Sequence, residues 1–522
     1  MQLSDSFVIL SQTVAQSLIV QSDRTNDSVK SERNQLFLLQ GLLSSVPLYT
    51  LTAQTTTPST HYAVETGIVA GHGDYSPFWF TANRQGLSSV KTENGYLCAG
   101  IFHSQALGRH FTWKAGLDLA TAYNYTSSFV VQQAYADLSY RWLNLSIGSK
   151  ERTPELRNPK LSTGGLVESN SARPVPQVRI EIPQYISVPG TNHWLHIKGH
   201  LAYGTFTDNN WQEDFARSGN LYTKDVLYHS KSFFMKVGKK ESFPLEFEAG
   251  LQMAAQFGGK QYVEGQKEPI MKMPSDFMDF IRVLIPMSGS DNAMEGEQIN
   301  KYGNHVGSWN IGLTGYVQDW RIKAYYEHFF EDESQMFFGY GPWKDGLLGV
   351  EVTLPENQFI DALVYECMGS KNQTGPIFYE GFRGEFEQVS AKDNYYNHYI
   401  YQAWQHWGMA MGNPLFTGPV YNKDGRIMFA NNRINAHHLG ISGTPGKEWA
   451  YRLLLTYSRN WGTYDNPFDD VKKQFSSLLE VTYSPAKWNG WSFSISGAMD
   501  RGNLLGNNSG GMLVIRKTGL IK

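Results

Sequence analysis

From residue 60 onward, apolar and polar positions alternate with a period of two over long stretches, the mark of strands with one apolar face. In Leu245 to Phe257, the residues Leu245, Phe247, Ala249, Leu251, Met253, Ala255 and Phe257 point one way; Glu246, Glu248, Gln252 and Gln256 point the other. Trp491 to Asp500 sets Trp491, Phe493, Ile495 and Met499 against Ser492, Ser494, Ser496 and Asp500. In His193 to Tyr203, Leu195, Ile197, Leu201 and Tyr203 oppose His196, Lys198 and His200. Trp309 to Val317, Trp449 to Arg459 and Phe475 to Tyr483 alternate in the same way. These stretches run about 9–13 residues, longer than a usual globular strand and matched to a tilted membrane crossing. Roughly 16–20 of them fill the chain, which predicts one antiparallel transmembrane β-barrel of about 18 strands. A propeller would show a repeat of about 40–50 residues, and none is present. A sandwich of this size would divide into domains, yet no linker-like stretch interrupts the pattern.

Two segments break the rhythm. Pro274 to Pro286 offers Ser275 as N-cap and an apolar stripe of Phe277, Met278, Ile281, Leu284 and Ile285 at helical spacing. Tyr395 to Met411 places Tyr396, Tyr399, Ile400, Ala403, Trp404, Trp407 and Met411 three and four apart. Both predict short inserted helices, either plugging the lumen or capping one mouth, with helices in surface loops as the plain alternative. Aromatic residues near strand ends (Trp79, Trp113, Tyr123, Trp142, Trp194, Trp320, Trp449, Trp461) suggest interfacial girdles.

Composition sharpens the picture. Among 522 residues there are 29 Tyr, 29 Phe, 14 Trp and 50 Gly, a content suited to pleated surfaces and bends. The mean hydropathy of −0.39 would exclude a helical membrane protein. It suits a barrel, which turns only alternate residues to lipid. No apolar run reaches the roughly 18–20 residues of a spanning helix. The net charge of −3 argues against nucleic acid as a partner. Cys98 and Cys367 stand far apart, supporting neither a disulfide framework nor a thiolate metal cluster; whether they pair stays open.

An export signal begins near Lys30. Lys30 and Arg33 form a positive region, Leu36 to Leu43 an apolar one, and Ser44 to Gln54 an exit ending at Ala53. The expected organisation is therefore an unassigned extension over 1–29, read as a start-site error, a signal peptide over 30–53, and a barrel over 54–522. This implies the bacterial outer membrane, with its lipid as a partner.

Most candidate chemistry fails on geometry. His196 and His200 have the spacing of a helical zinc pair, but on a strand four residues span about 13 Å, too far to share an ion. His437 and His438 would point to opposite faces. Ser484-Pro-Ala-Lys487 has the S-x-x-K spacing but lies between two strong strands, where a turn is expected. Gly443-Thr-Pro-Gly-Lys447 lacks the glycine spacing of a phosphate loop. No catalytic residues, metal site or cofactor is expected, and the chain is read as no enzyme. The most functional-looking surface is Lys150 to Pro183, with Arg152, Glu168, Arg173, Arg179 and Glu181. Nearby Asp208, Asn209, Asn210 and Trp211 join planar hydrogen-bonding groups to an aromatic ring. Such a mixture can hold a sugar, its polar groups bonding hydroxyls while the ring packs on the pyranose. A salt-bridged loop folded into the lumen would use the same residues.

These strings resemble the Wzi-type capsule-assembly proteins. The matching text is Ser76–Gly86 (SPFWFTANRQG), Gly164–Asn170 (GGLVESN), Arg173–Arg179 (RPVPQVR), Tyr203–Trp211 (YGTFTDNNW), Leu227–Lys231 (LYHSK) and the segment Tyr395–Phe416, in order across residues 61–522. The resemblance implies an eighteen-stranded, internally plugged barrel with lectin-like contact to capsular or extracellular polysaccharide, no catalysis, and capsule export machinery as a further partner. The family's best-known member also carries a periplasmic helical bundle; no separate bundle is read in this sequence, where the two inserted helices are the candidates to serve instead. The alternative function is an outer-membrane diffusion channel or solute transporter. A hydrolase would need a nucleophile or carboxylate pair gathered at one spot.

Overall fold

The computed structural model describes residues 58–521 apart from 295–296, 299–300, 332, 338–343, 358, 374–376, 380–387 and 391–392. The extension, the signal peptide and the start near Gln54 lie outside the described residues. The alternating stretches form one closed sheet of eighteen strands. In chain order they are β1 (Ser59–His72), β2 (Glu93–Leu107), β3 (Phe111–Tyr123), β4 (Phe129–Tyr140), β5 (Leu143–Ser149) and β6 (Gln177–Ser187). They continue as β7 (Leu195–Thr205), β8 (Leu227–Val237), β9 (Leu245–Phe257), β10 (Asn304–Val317), β11 (Trp320–Phe330) and β12 (Gly346–Thr353). The last six are β13 (Ala362–Gly369), β14 (Ile434–Gly443), β15 (Trp449–Gly462), β16 (Pro467–Tyr483), β17 (Trp491–Gly502) and β18 (Asn508–Ile521). Each pairs antiparallel with the next, and β18 returns to β1 in the register Tyr62↔Gly519, so no edge is left open.

The alternation has the direction the sequence implies. On β17, Ile495 and Met499 are exposed while Ser496 and Asp500 are buried in the interior. On β9, Leu245 and Phe247 face out, and Glu248, Gln252 and Gln256 face in. Among the described residues no helix is long and apolar enough to cross a membrane; the strands do so. A charge at mid-crossing on the lipid face costs about 2–4 kcal/mol. Ile495→Arg should therefore lower stability by about that much in vesicle-based urea unfolding. No change would place Ile495 outside the hydrocarbon.

Tight turns such as 141–142 and 318–319 close one end, whereas 150–176, 206–226, 258–303 and 370–433 extend from the other. In barrels of this kind the long loops are extracellular and the short turns periplasmic. Trp142, Trp194, Trp320, Trp449, Trp488 and Trp491 are exposed at the turn end, forming one girdle. Trp79 does not join it. It is buried in the interior beside His438, at 5.2 Å between ring centroids.

The interior is filled mainly by loop segments. A helical turn, Phe78–Thr81, enters from the β1–β2 loop, and the Phe78 amide donates to the Asp500 carboxylate at 3.0 Å. The segment Tyr395–Met411 is not the expected helix. It forms two small hairpins, Asn397–His398 with Gln402–Ala403 and Gln405–His406 with Met409–Ala410. Tyr396, Gln402 and Trp407 have positive φ, which a right-handed helix excludes. Its apolar residues mark burial in the filled lumen: Tyr395, Tyr396, Ile400, Tyr401, Ala403 and Trp404 are fully enclosed, whereas Tyr399 is exposed. The other expected helix forms, over Phe277–Leu284 with Asp276 rather than Ser275 as N-cap. It packs on the outer wall rather than in the lumen, and Phe277, Met278 and Ile285 of its apolar stripe are exposed.

Candidate functional site

The loop between β5 and β6 turns into the lumen, held by two carboxylates of the barrel wall. Glu366 on β13 accepts from Ser162 Oγ at 2.5 Å, from the Thr163 amide and Thr163 Oγ1 at 2.7 Å each, and from Tyr325 Oη at 2.7 Å. Glu327 on β11 pairs with Arg157 at 2.5 Å and accepts the Leu166 amide at 2.9 Å. The hairpin segment locks onto this loop from its other side. Trp404 Nε1 donates to the Val167 carbonyl, Asn413 Nδ2 to that of Gly164, and Tyr396 Oη to that of Leu166.

A cavity of about 70 Å³ remains between this loop and the wall, enough for about five waters. Four expected site residues line it: Arg152, Glu168, Arg173 and Arg179. Arg152 donates to the Lys150 carbonyl at 3.1 Å and Ser146 Oγ at 3.3 Å. Glu168 accepts from Gln252 Nε2 at 2.6 Å and from Tyr228 Oη. Arg173 lies over the Trp407 ring at 4.1 Å and donates to Thr126 Oγ1 at 2.9 Å; its Nε is buried without a partner. Burial lowers the Arg152 and Arg173 guanidinium groups to about 10, still cationic at neutral pH. Gly86 lets Arg173 approach: at its φ of +69°, a Cβ would lie 2.4 Å from the Arg173 amide nitrogen.

Glu181 stands behind the cavity. It orients Arg179 through a 2.6 Å bond and accepts Asn144 Nδ2 at 3.0 Å. Asp208, Asn209, Asn210 and Trp211 do not join the cavity. Asp208 accepts the Asn210 and Gln212 amides at 3.1 and 3.2 Å, closing a turn in which Asn209 and Asn210 are left-handed. Trp211 is buried and stacks on Phe215 at 4.9 Å, so its ring is occupied by protein.

Sequence reading missed Gln85, His200, Tyr228 and Gln252 in the lining, whereas Lys150 opens the candidate surface it named. His200 bonds Ser230 and Ser232 at 3.0 and 2.7 Å as an inward polar residue. Its inward phase on β7 was the available signal; which loop meets it was not readable. His437 faces out and bonds Tyr365 Oη, whereas His438 faces in and bonds the Leu161 carbonyl, so the two do point apart. Ser484 lies in a turn, its amide bonded to the Glu448 carbonyl. Cys98 and Cys367 are free thiols. Among the described residues no group of three or more His, Cys, Asp or Glu is placed to hold a metal.

A closed antiparallel barrel of eighteen strands with a lipid-facing apolar belt is a bacterial outer-membrane β-barrel. Among solved structures it is similar to Wzi of Escherichia coli, an outer-membrane protein involved in group 1 capsule assembly and a carbohydrate-binding β-barrel. That likeness has 13% identity and a TM-score of 0.54 over 88% of this chain and 84% of the other. OccAB4 of Acinetobacter baumannii matches at 10% identity and a TM-score of 0.45 over 90% and 99%. OccK5 of Pseudomonas aeruginosa matches at 9% and 0.45 over 90% and 100%. At these identities the likeness concerns the fold. No family model and no curated protein sequence matches the chain.

Proposed function

We propose that this barrel binds a surface polysaccharide without catalysis and assists the assembly or attachment of capsule or exopolysaccharide. The observation that carries the reading is the lumen cavity, where Arg152, Glu168 and Arg173 of the plug loop meet Arg179 of the wall strand β6. Guanidinium forks and a carboxylate together can bond hydroxyl, ring-oxygen and acidic groups of a glycan. The fold shared with a carbohydrate-binding barrel supports the same reading. Purified protein should bind the polysaccharide of the producing bacterium in calorimetry. Arg152→Ala should weaken that binding roughly ten- to hundred-fold, the worth of a hydrogen bond to a charged group. Deleting the gene should release capsule from the cell. Unchanged capsule retention, with no glycan bound by the purified protein, would defeat the reading.

A second reading, a diffusion channel or solute transporter, draws support from the lower wall. There Lys236 faces Glu246 at 3.4 Å, Lys323 meets Glu248 at 2.7 Å and Arg321 meets Glu351 at 3.3 Å, a charged lining suited to passing polar solutes.

A further inference from the structure

The segment from Pro274 to Met287 sits where lipid should be. On β8, Phe233, Met235 and Val237 are exposed and outward, and the same face continues through Lys231 and His229. Their cross-strand partners, Leu201 and Tyr203 on β7 with Met253 and Ala255 on β9, therefore face out too. The helix Phe277–Leu284 covers this patch. Tyr203 Oη donates to the Phe280 carbonyl at 2.7 Å, and the Phe280 ring stands edge-on to Phe257 at 5.0 Å. Lys231 Nζ donates to the carbonyls of Val283 and Leu284 at 3.1 and 2.5 Å, at the helix C-terminus where a cation is favoured.

Lys231 lies four residues in from Leu227, the loop end of its strand, about 13 Å along it. At the same position on β1, four residues from His72, stands the exposed outward Ile68. A bare ammonium at that level would face acyl chains, at a cost of several kcal/mol. The helix removes that cost by supplying carbonyls, and it must then meet lipid with its own outer face. That face is apolar: Phe277, Met278 and Ile285 are 79%, 51% and 60% exposed, with Met287 beside them. The inner face carries the polar group instead. Asp279 is buried there, bonded to Arg282 at 2.7 Å and to the Asp276 amide at 2.8 Å.

We infer that the helix Phe277–Leu284 is an in-plane lipid contact, its Phe277–Met278–Ile285 face immersed among acyl chains and continuing the barrel's apolar belt around its outer wall. The occupant is lipid because the outward face of β8 that the helix covers at Lys231 continues along the strand into the exposed Phe233, Met235 and Val237 of that belt.

Nitroxide labelling tests this in protein refolded into phosphatidylethanolamine–phosphatidylglycerol vesicles. Met278→Cys is labelled in a Cys367→Ser background, Cys98 being buried; Phe277→Cys provides a second position on the same exposed face. Collision rates with oxygen and with a water-soluble nickel chelate are compared with those of a Phe233→Cys belt label and a Lys423→Cys loop label. The expected result is an oxygen-to-nickel ratio at both helix positions within about two-fold of the belt label. A ratio matching the loop label would overturn the inference by placing the face in water. So would low collision with both reagents together with label–label broadening, which would make a second copy the occupant.

Discussion

Glu366→Ala is expected to loosen the lumen plug and lower stability by roughly 3–6 kcal/mol, since several buried donors lose their acceptor at about 1–3 kcal/mol each. The wall carboxylate accepts from Ser162, Tyr325 and both the amide and hydroxyl of Thr163. The three hydroxyls can rotate toward other acceptors, but the Thr163 amide is fixed by the backbone. Glu366→Gln keeps the shape and one acceptor, so it should lose roughly half as much. Urea unfolding in vesicles, followed by tryptophan fluorescence, measures both. A Glu366→Ala loss below about 1 kcal/mol would show that the loop is held elsewhere.

The second large effect is expected at Arg157. Its pair with Glu327 is almost wholly buried, and Glu327 also takes the Leu166 amide. Arg157→Ala leaves a carboxylate uncompensated at low dielectric, a change that costs about 3–5 kcal/mol. The double variant Arg157→Met with Glu327→Leu should be markedly more stable than Arg157→Ala alone, because desolvation of both charges disappears. It should still fall below the natural protein, as Leu166 loses its acceptor. Equal stability of the single and double variants would mean that solvent screens Glu327.

The barrel was legible because alternation is local: whether Ile495 or Ser496 faces lipid depends only on strand phase. Four of the nine candidate site residues line the cavity, for a similar reason: Arg152, Glu168 and Arg173 belong to the loop whose glycines, prolines and charges set it apart, and Arg179 to the strand that leads out of it. Asp208, Asn209, Asn210 and Trp211 misled because sugar-binding and turn-forming chemistry share residue types. Left-handed Asn209 and Asn210 and the capping of Asp208 use that chemistry within the backbone. Tyr395–Met411 misled differently. Inside a filled lumen a loop buries apolar side chains in several directions, so helical spacing arises without a helix. The outward helix inverts the usual rule, its apolar face being the exposed one, and only the lipid-facing wall around it makes that arrangement sensible. The wall carboxylates Glu327 and Glu366 were visible as charges on strands, but one sequence cannot say which loop they hold.

Planar-bilayer conductance of the purified natural protein, with Glu366→Ala alongside it, tests the plugged binder most directly. The expected result is a silent barrel whose conductance appears or rises only when the Glu366 anchor is removed. A stable open pore in the natural protein, unchanged by Glu366→Ala, would contradict the plug and favour the channel.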